Sequence, residues 1–341
     1  MTIDFEVLRD WFVLEKRDFP WRNSPTPYQV WISEIMLQQT QTSVVIRYYE
    51  KWMERFPSIA ALAGASEEQV LKVWEGLGYY SRARHLHRAA QELIQNQMGH
   101  LPQSEEKLLK IKGIGPYTAA AILSFAFHQK AAAVDGNVAR VLARLFCIEE
   151  DITKGSTQKV LRETLLRLLP DQEPWVIMEA LIELGATVCM KRPACDHCPV
   201  QQNCLGFKNE KAESLPYRGK KSAVISLFRF VPVIQHQGFY LVQKGKQGKV
   251  MAGLYEFPYL EEKKKASILE LEEKFKLKLS FHKKLDGVKH TFTCHRARLY
   301  PSLYSALKPA EVEGYEWLSI EKLRQLPFSS GHKRILLQVI K

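Results

Sequence analysis

Through the first two hundred positions, apolar residues recur at intervals of three and four. VWISEIML (30–37), EEQVLKVWEGL (67–77), ARHLHRAAQELI (83–94), TAAAILSFAF (118–127) and NVARVLARLF (137–146) all carry such stripes, the period that puts one helix face against a core. Glycine and proline punctuate them at GLGYY, LPQSEE and KGIGP. Ser66 before Glu67 and Glu68, and Ser104 before Glu105 and Glu106, read as helix N-termini. Residues 206–222 are polar and aperiodic, which predicts a linker. Beyond them the texture changes. VISLFRFVPVIQHQGFYLVQK (224–244) and HTFTCHRARLY (290–300) alternate and are rich in aromatic and β-branched residues, as strands are, while SILELEEKFKL and SIEKLRQL return to a helical period. The expected organisation is an all-α region over 1–205, a linker over 206–222 and a small α+β domain over 223–341.

Charge sharpens this division. Of 49 Lys and Arg and 37 Asp and Glu, residues 205–341 hold 26 of the bases and 13 of the acids, leaving the first 204 residues near neutrality. A basic half suits a polyanionic partner, most simply nucleic acid, although a solvated lysine-rich surface explains EEKKK (261–265) as well. A hydrophobic fraction of 46% excludes wholesale disorder, and no apolar run approaches the roughly 18 residues of a membrane span. The first residues carry acids and no small-residue cleavage site, so a cytosolic protein without a membrane partner is expected. Four of six cysteines crowd into CMKRPACDHCPVQQNC (189–204), which in a reducing compartment favours metal over disulfides.

Two further segments carry candidate chemistry. In KIKGIGPYTAAAIL (110–123), Gly113 and Gly115 flank Ile114 just before a helix. Bare backbone N–H groups at a helix N-terminus suit one phosphate, although a tight interhelical turn is also consistent. In AAAVDGNVARVLARL (131–145), Asp135 precedes a helix, where an aspartate is most often a cap.

KGIGPYTAAAI followed by VDGNVARVLAR resembles the helix–hairpin–helix, Gly/Pro-rich, Asp superfamily of DNA glycosylases. With WISEIMLQQTQTSVV (31–45), GLGYYSRARHL (76–86) and the cysteine array, residues 5–205 resemble the MutY-type adenine DNA glycosylases, with the hairpin motif at about 108–127. The resemblance implies a multi-domain fold: two helical lobes with an iron–sulfur loop at 189–204, then a C-terminal Nudix-like domain that recognises 8-oxoguanine. It also implies a monofunctional enzyme of base excision repair, acting as a nucleoid-associated monomer. Its substrate would be double-stranded DNA in which adenine is mispaired with 8-oxoguanine or guanine.

Chemistry of this kind needs a proton donor for the leaving base and a negative charge beside a cationic sugar, a task two carboxylates in unlike surroundings perform. Glu34 lies among Trp31, Ile32, Ile35 and Met36, a setting that raises a carboxyl pKa, and the resemblance places it on the catalytic acid. It places Asp135 on the second carboxylate and Tyr117 and Asn137 on the supports of the adenine pocket. Arg22 falls on a pocket-lining position, Gln39 and Thr40 on the segment entering the DNA stack, and Leu77 and Tyr79 on residues approaching the opposite base. Tyr117 stands where endonuclease III-like relatives carry a nucleophilic lysine, arguing against efficient strand cleavage.

The array C-x5-C-x2-C-x5-C has one central CxxC knuckle where zinc ribbons pair two. Cys189, Cys195, Cys198 and Cys204 suit the corners of a [4Fe–4S] cluster. The family pattern has six residues in the first gap; this chain has five. After Gly253 the chain reads GLYEFPYLEEKKK, without the carboxylate array of a working Nudix hydrolase. The family's Phe-Ser-His loop corresponds here to Phe292 and Thr293, with Cys294 in place of the histidine. The competing readings are an endonuclease III-like pyrimidine glycosylase/lyase and a DNA-binding scaffold without catalysis.

Overall fold

The computed structural model describes residues 3–23, 25–219, 224–246, 248, 251–292 and 294–340. In chain order the helices of the first part are α1 (Phe5–Glu15), α2 (Pro27–Leu37), α3 (Thr42–Arg55), α4 (Ile59–Ala63), α5 (Glu67–Val73), α6 (Ser81–Gln95), α7 (Glu105–Leu109), α8 (Pro116–Phe125), α9 (Gly136–Leu145), α10 (Gly155–Leu168), α11 (Pro174–Thr187) and α12 (Leu205–Lys208). The remainder holds β1 (Ile225–His236), β2 (Phe239–Lys244), β3 (Tyr255–Glu256), β4 (Leu260–Glu261), α13 (Ile268–Phe275), β5 (Leu279–Lys284), β6 (Val288–Phe292), β7 (His295–Ala306), β8 (Glu316–Ser319), α14 (Ile320–Gln325) and α15 (Ser330–Val339). These form two compact units. One comprises Met1–Ala61 with Arg88–Lys221, the other Leu62–His87 with Ser222–Lys341.

In the first unit α2 packs on α3 and α8, while α11 packs on α1, α8 and α9. The near-total burial of Val30–Met36 and of Thr118–Phe125 explains why α2 and α8 are apolar nearly all round. Local chemistry fixes where these helices begin. Thr26 closes a capping box with Gln29 ahead of α2, and Pro27 and Pro116 sit at helix starts, where a missing N–H costs nothing. Gly113 adopts φ 92°, a left-handed conformation that favours glycine. Gly115, the N-cap of α8, is extended at φ −94°, so the hairpin requires glycine only at the first of the two positions.

In the second unit β1 runs parallel to β7, and the other pairings are antiparallel: β2 and β4 on β1, β3 and β8 on β2, β5 and β6 on β7. Alternation along β1 sends Val231 and Val233 into one core with Leu323, Ile335 and Leu336 of α14 and α15. It sends Phe230 and Ile234 into another with Leu271 and Phe275 of α13. The sheet is therefore covered by helices on both faces. Within this unit Leu62–His87 is held by Arg84 Nη1 donating to Ala252 O, Phe328 N donating to Glu75 Oε1 at 2.8 Å, and Lys72 Nζ donating to Leu326 O at 2.8 Å. A further ion pair joins Glu75 to Lys333.

The linker expected over 206–222 is corrected over its described part. Residues 205–219 fold onto the first unit. Ala212 and Leu215 are buried, Ile152 N donates to Tyr217 O, and Gly219 N donates to Asp151 Oδ2. Sparse apolar residues hid this from periodicity, because the segment is held mainly by hydrogen bonds from neighbouring turns. The second unit also takes in Leu62–His87, a division that no single break in the sequence marks.

Candidate active site

In the first unit a cavity of about 170 Å³ is lined by Glu34, Tyr117, Asp135 and Asn137, together with Arg22, Thr40 and Glu179. Helix α2 delivers Glu34 from its buried face, at 6% exposure. The Tyr117 hydroxyl, in the first turn of α8, donates to Glu34 Oε2 at 2.5 Å. Burial pushes the Glu34 carboxyl up to about 7. The tyrosine hydrogen bond and Arg22 oppose that rise, while Asp135 and Glu179 add to it. Burial, with the charges of Glu34 and Asp135, holds the Tyr117 phenol well above its ordinary value, so it donates as a neutral group.

Asp135 is at once a cap and a lining residue. Its Oδ1 accepts from Asn137 N at 2.9 Å and Val138 N at 2.7 Å, and its Oδ2 accepts from Asn137 Nδ2 at 3.1 Å. Burial raises this carboxyl, while the two backbone N–H groups at the start of α9 favour its ionised form. The two readings of an aspartate ahead of a helix are thus compatible in one side chain.

Several groups around the cavity left no mark in the sequence pattern. Glu183 of α11 is fully buried and accepts from Arg22 Nη2 at 2.7 Å and from Arg17 Nε. Burial works against its charge, yet the two guanidinium groups hold the Glu183 carboxyl below its ordinary value. Arg140 links Asn137 Oδ1 (2.9 Å) to Gly185 O (2.7 Å) and Cys189 O (2.8 Å), joining the cap of α9 to the start of the cysteine loop.

Gln39 and Thr40 lie in the turn between α2 and α3. Gln39 is exposed and left-handed at φ 58°, a conformation that strains a residue with a Cβ, and Thr40 reaches the cavity lining. Leu77 and Tyr79 belong to the second unit. There they line a separate cavity of about 690 Å³ with Arg84, Lys289, His290 and Arg334. Tyr79 is 43% exposed and also left-handed, at φ 42°. Burial, reinforced by Arg334 and Arg229, depresses His290 to about 4, leaving its imidazole neutral at pH 7. Phe292 ends β6, but its side chain and all of Thr293 lie outside the described residues.

All four cysteines of the array line one pocket of the first unit, none in a disulfide. Arg144, 2% exposed, clamps the loop from below. It donates to Cys189 Sγ (3.3 Å), Met190 O (2.6 Å), Lys191 O (3.1 Å) and Leu215 O (2.9 Å). Among the described residues no group is arranged to hold a single metal ion. Four uncrosslinked sulfurs around one pocket, with a guanidinium on the first, are a donor set that fits a [4Fe–4S] cluster.

The HhH-GPD superfamily base excision DNA repair protein family matches residues 32–167, and the NUDIX domain family matches 230–338. The adenine DNA glycosylase of Mus musculus is 43% identical over 227 residues, covering 64% of this chain and 43% of that protein. The chain matches about two fifths of the length of its mammalian relatives. The adenine DNA glycosylase of Buchnera aphidicola subsp. Baizongia pistaciae is 34% identical over 257 residues, covering 74% of this chain and 73% of that one. Among solved structures, a thermostable thymine-DNA glycosylase superposes with a TM-score of 0.55 at 28% identity, over 60% of this chain and 95% of its own. An endonuclease III–DNA complex shares the fold, with a TM-score of 0.52 at 23% identity over 60% of this chain and 94% of its own. A relative 34% identical across nearly three quarters of both chains, together with the two family matches, places this chain in the adenine DNA glycosylase family.

Proposed function

We propose that this protein is a monofunctional adenine DNA glycosylase that removes adenine mispaired with 8-oxoguanine or guanine. The observation carrying this reading is Glu34, a carboxyl that keeps its proton to about pH 7 in a cavity shared with Asp135. Glu34 donates that proton to a ring nitrogen of the extruded adenine as the C1′–N9 bond breaks, leaving free adenine. Positive charge develops on the sugar, and the Asp135 carboxylate, fixed by three hydrogen bonds, stabilises it. Water then adds at C1′, losing a proton to solvent or to a carboxylate, and leaves an abasic site.

No lysine lines this cavity among the described residues, and a phenol at position 117 forms no Schiff base. Both features support hydrolysis without strand cleavage. In the second unit the cavity of Leu77, Tyr79 and neutral His290, beside the strand leading to Phe292 and Thr293, supports recognition of the opposing base. The four cysteines would hold a [4Fe–4S] cluster that braces the loop exposing Lys191 and Arg192.

The test is single-turnover release of adenine from an 8-oxoguanine:A duplex and a G:A duplex. The wild-type chain should release free adenine from both, and Glu34→Gln should lose release by at least about 10². Full activity in Glu34→Gln would remove the acid assignment. High-yield borohydride trapping of a covalent DNA complex would favour a lyase instead.

A further inference from the structure

Two acids one turn apart on α11 meet the same arginine. Glu179 lines the cavity, and burial raises its carboxyl although Arg22 and Lys16 oppose the rise. Glu183 stands behind it, fully buried, yet Arg17 and Arg22 hold it ionised. Like charges at i and i+4 of a helix repel, and a buried ion pair adds little stability because each charge must leave water. Stability alone therefore gives no reason for a glutamate at 183. The two arginines do.

Arg17 and Arg22 lie in the connection between α1 and α2. Their guanidinium groups sit 5.0 and 4.8 Å from the centre of the Phe19 ring, and Phe19 stacks on Trp21 at 5.2 Å. All four side chains line the cavity that holds Glu34. Arg22 Nη1 donates to Arg17 O at 2.7 Å, tying the connection to itself. Glu183 ties it to the helices: Oε2 accepts from Arg22 Nη2 at 2.7 Å, and Oε1 accepts from Arg17 Nε. One carboxylate, with an oxygen on each guanidinium, fixes both.

The same contact sets a charge balance. The groups acting on Glu34 are Tyr117 of α8, Asp135 at the cap of α9, Glu179 of α11 and Arg22; α3 brings the neutral Thr42 to the cavity. Arg22 is the cation among them, and it favours loss of the proton that an acid must keep. An ionised Glu183 against Arg22 offsets that pull.

We propose that Glu183 is a positioning residue for this cavity, holding the Arg17 and Arg22 guanidinium groups against Phe19 and cancelling one of their two charges beside Glu34. It acts through the arginines and does not touch the substrate. The inference rests on the glycosylase reading, in which Glu34 is the acid.

Single-turnover adenine release from an 8-oxoguanine:A duplex is measured across pH for the wild type, Glu183→Gln and Glu183→Asp, with circular dichroism to check folding. Glu183→Gln keeps the shape and loses the charge, so its alkaline limb should move to lower pH by about one unit. Its acid plateau should fall roughly tenfold as the arginines lose their anchor. Glu183→Asp keeps the charge but is one methylene too short to hold both guanidinium groups. Its plateau should fall while its limb stays with the wild type. An unmoved limb in Glu183→Gln, an equal shift in Glu183→Asp, or a wild-type plateau in both overturns the proposal. If Glu183→Gln does not fold, Arg17→Ala tests the same balance at a partly exposed side chain: its limb should move to higher pH, and an unmoved limb overturns the proposal. A wild type that releases no adenine fails the glycosylase reading and takes this inference with it. A wild type that releases adenine beside unshifted variants fails this inference alone.

Discussion

Glu34 makes a prediction through its proton. In its proposed role as general acid it must carry its proton before adenine leaves, so release should be flat below about pH 7 and fall tenfold per unit above it. The Tyr117 hydrogen bond lowers this pKa, so in Tyr117→Phe the alkaline fall should move to higher pH. A pH–rate profile with an unmoved limb would contradict the pairing. The same shift has a cost in stability. Between 4.5 and about 7 the native state holds a proton that the unfolded chain has released, so stability falls as pH rises through that window. At pH 8 this amounts to a burden on the order of 3 kcal/mol. Glu34→Gln should therefore melt higher than wild type at pH 8, and the gain should shrink towards pH 5. The apolar neighbours that raise this pKa were legible in the sequence. The Arg22–Glu183 pair was not, because its partners lie far apart in the chain and nothing local in either segment points to the other.

Helices α9 and α11 meet at a contact that admits no side chain. A Cβ on Gly185 would lie 2.7 Å from Asn137 Cβ and 3.1 Å from its carbonyl, so the two helices can close only on glycine. Gly185→Ala should cost roughly 1–3 kcal/mol in thermal unfolding and should slow excision by displacing Asn137 and the Asp135 carboxylate it orients. Arg140 crosses the same contact. Arg140→Ala leaves the Gly185 and Cys189 carbonyls without their donor, at about 1–3 kcal/mol for each group left buried and unpaired. Lower iron content per chain, read together with a lower melting temperature, would verify that the cysteine loop depends on it; an unchanged iron content would refute this. The periodicity that revealed α2, α5, α6, α8 and α9 came from apolar stripes, and Ser66 and Ser104 do cap helices as their neighbours suggested. Contacts such as Gly185 against Asn137 depend on what packs opposite. One chain read in order does not contain that information.

At the scale of the whole molecule, the boundary between units is not a boundary in the sequence. Leu62–His87 is secured by partners near Ala252 and from Leu326 to Lys333, so a chain ending at Lys221 would lose them. That fragment should melt several degrees below the full chain and be cut by protease first within 62–87. Equal melting temperatures would show that the segment is stable without the strands. The change of texture near residue 205 signalled where strands begin, but the return of Leu62–His87 to the second unit rests on single hydrogen bonds and ion pairs, which leave no periodic trace. One of these bears on descent. Glu75 accepts from the Phe328 amide and pairs with Lys72 and Lys333. A lineage that exchanged its C-terminal module for another would strand this carboxylate, so across relatives positions 72, 75 and 333 should change together or not at all.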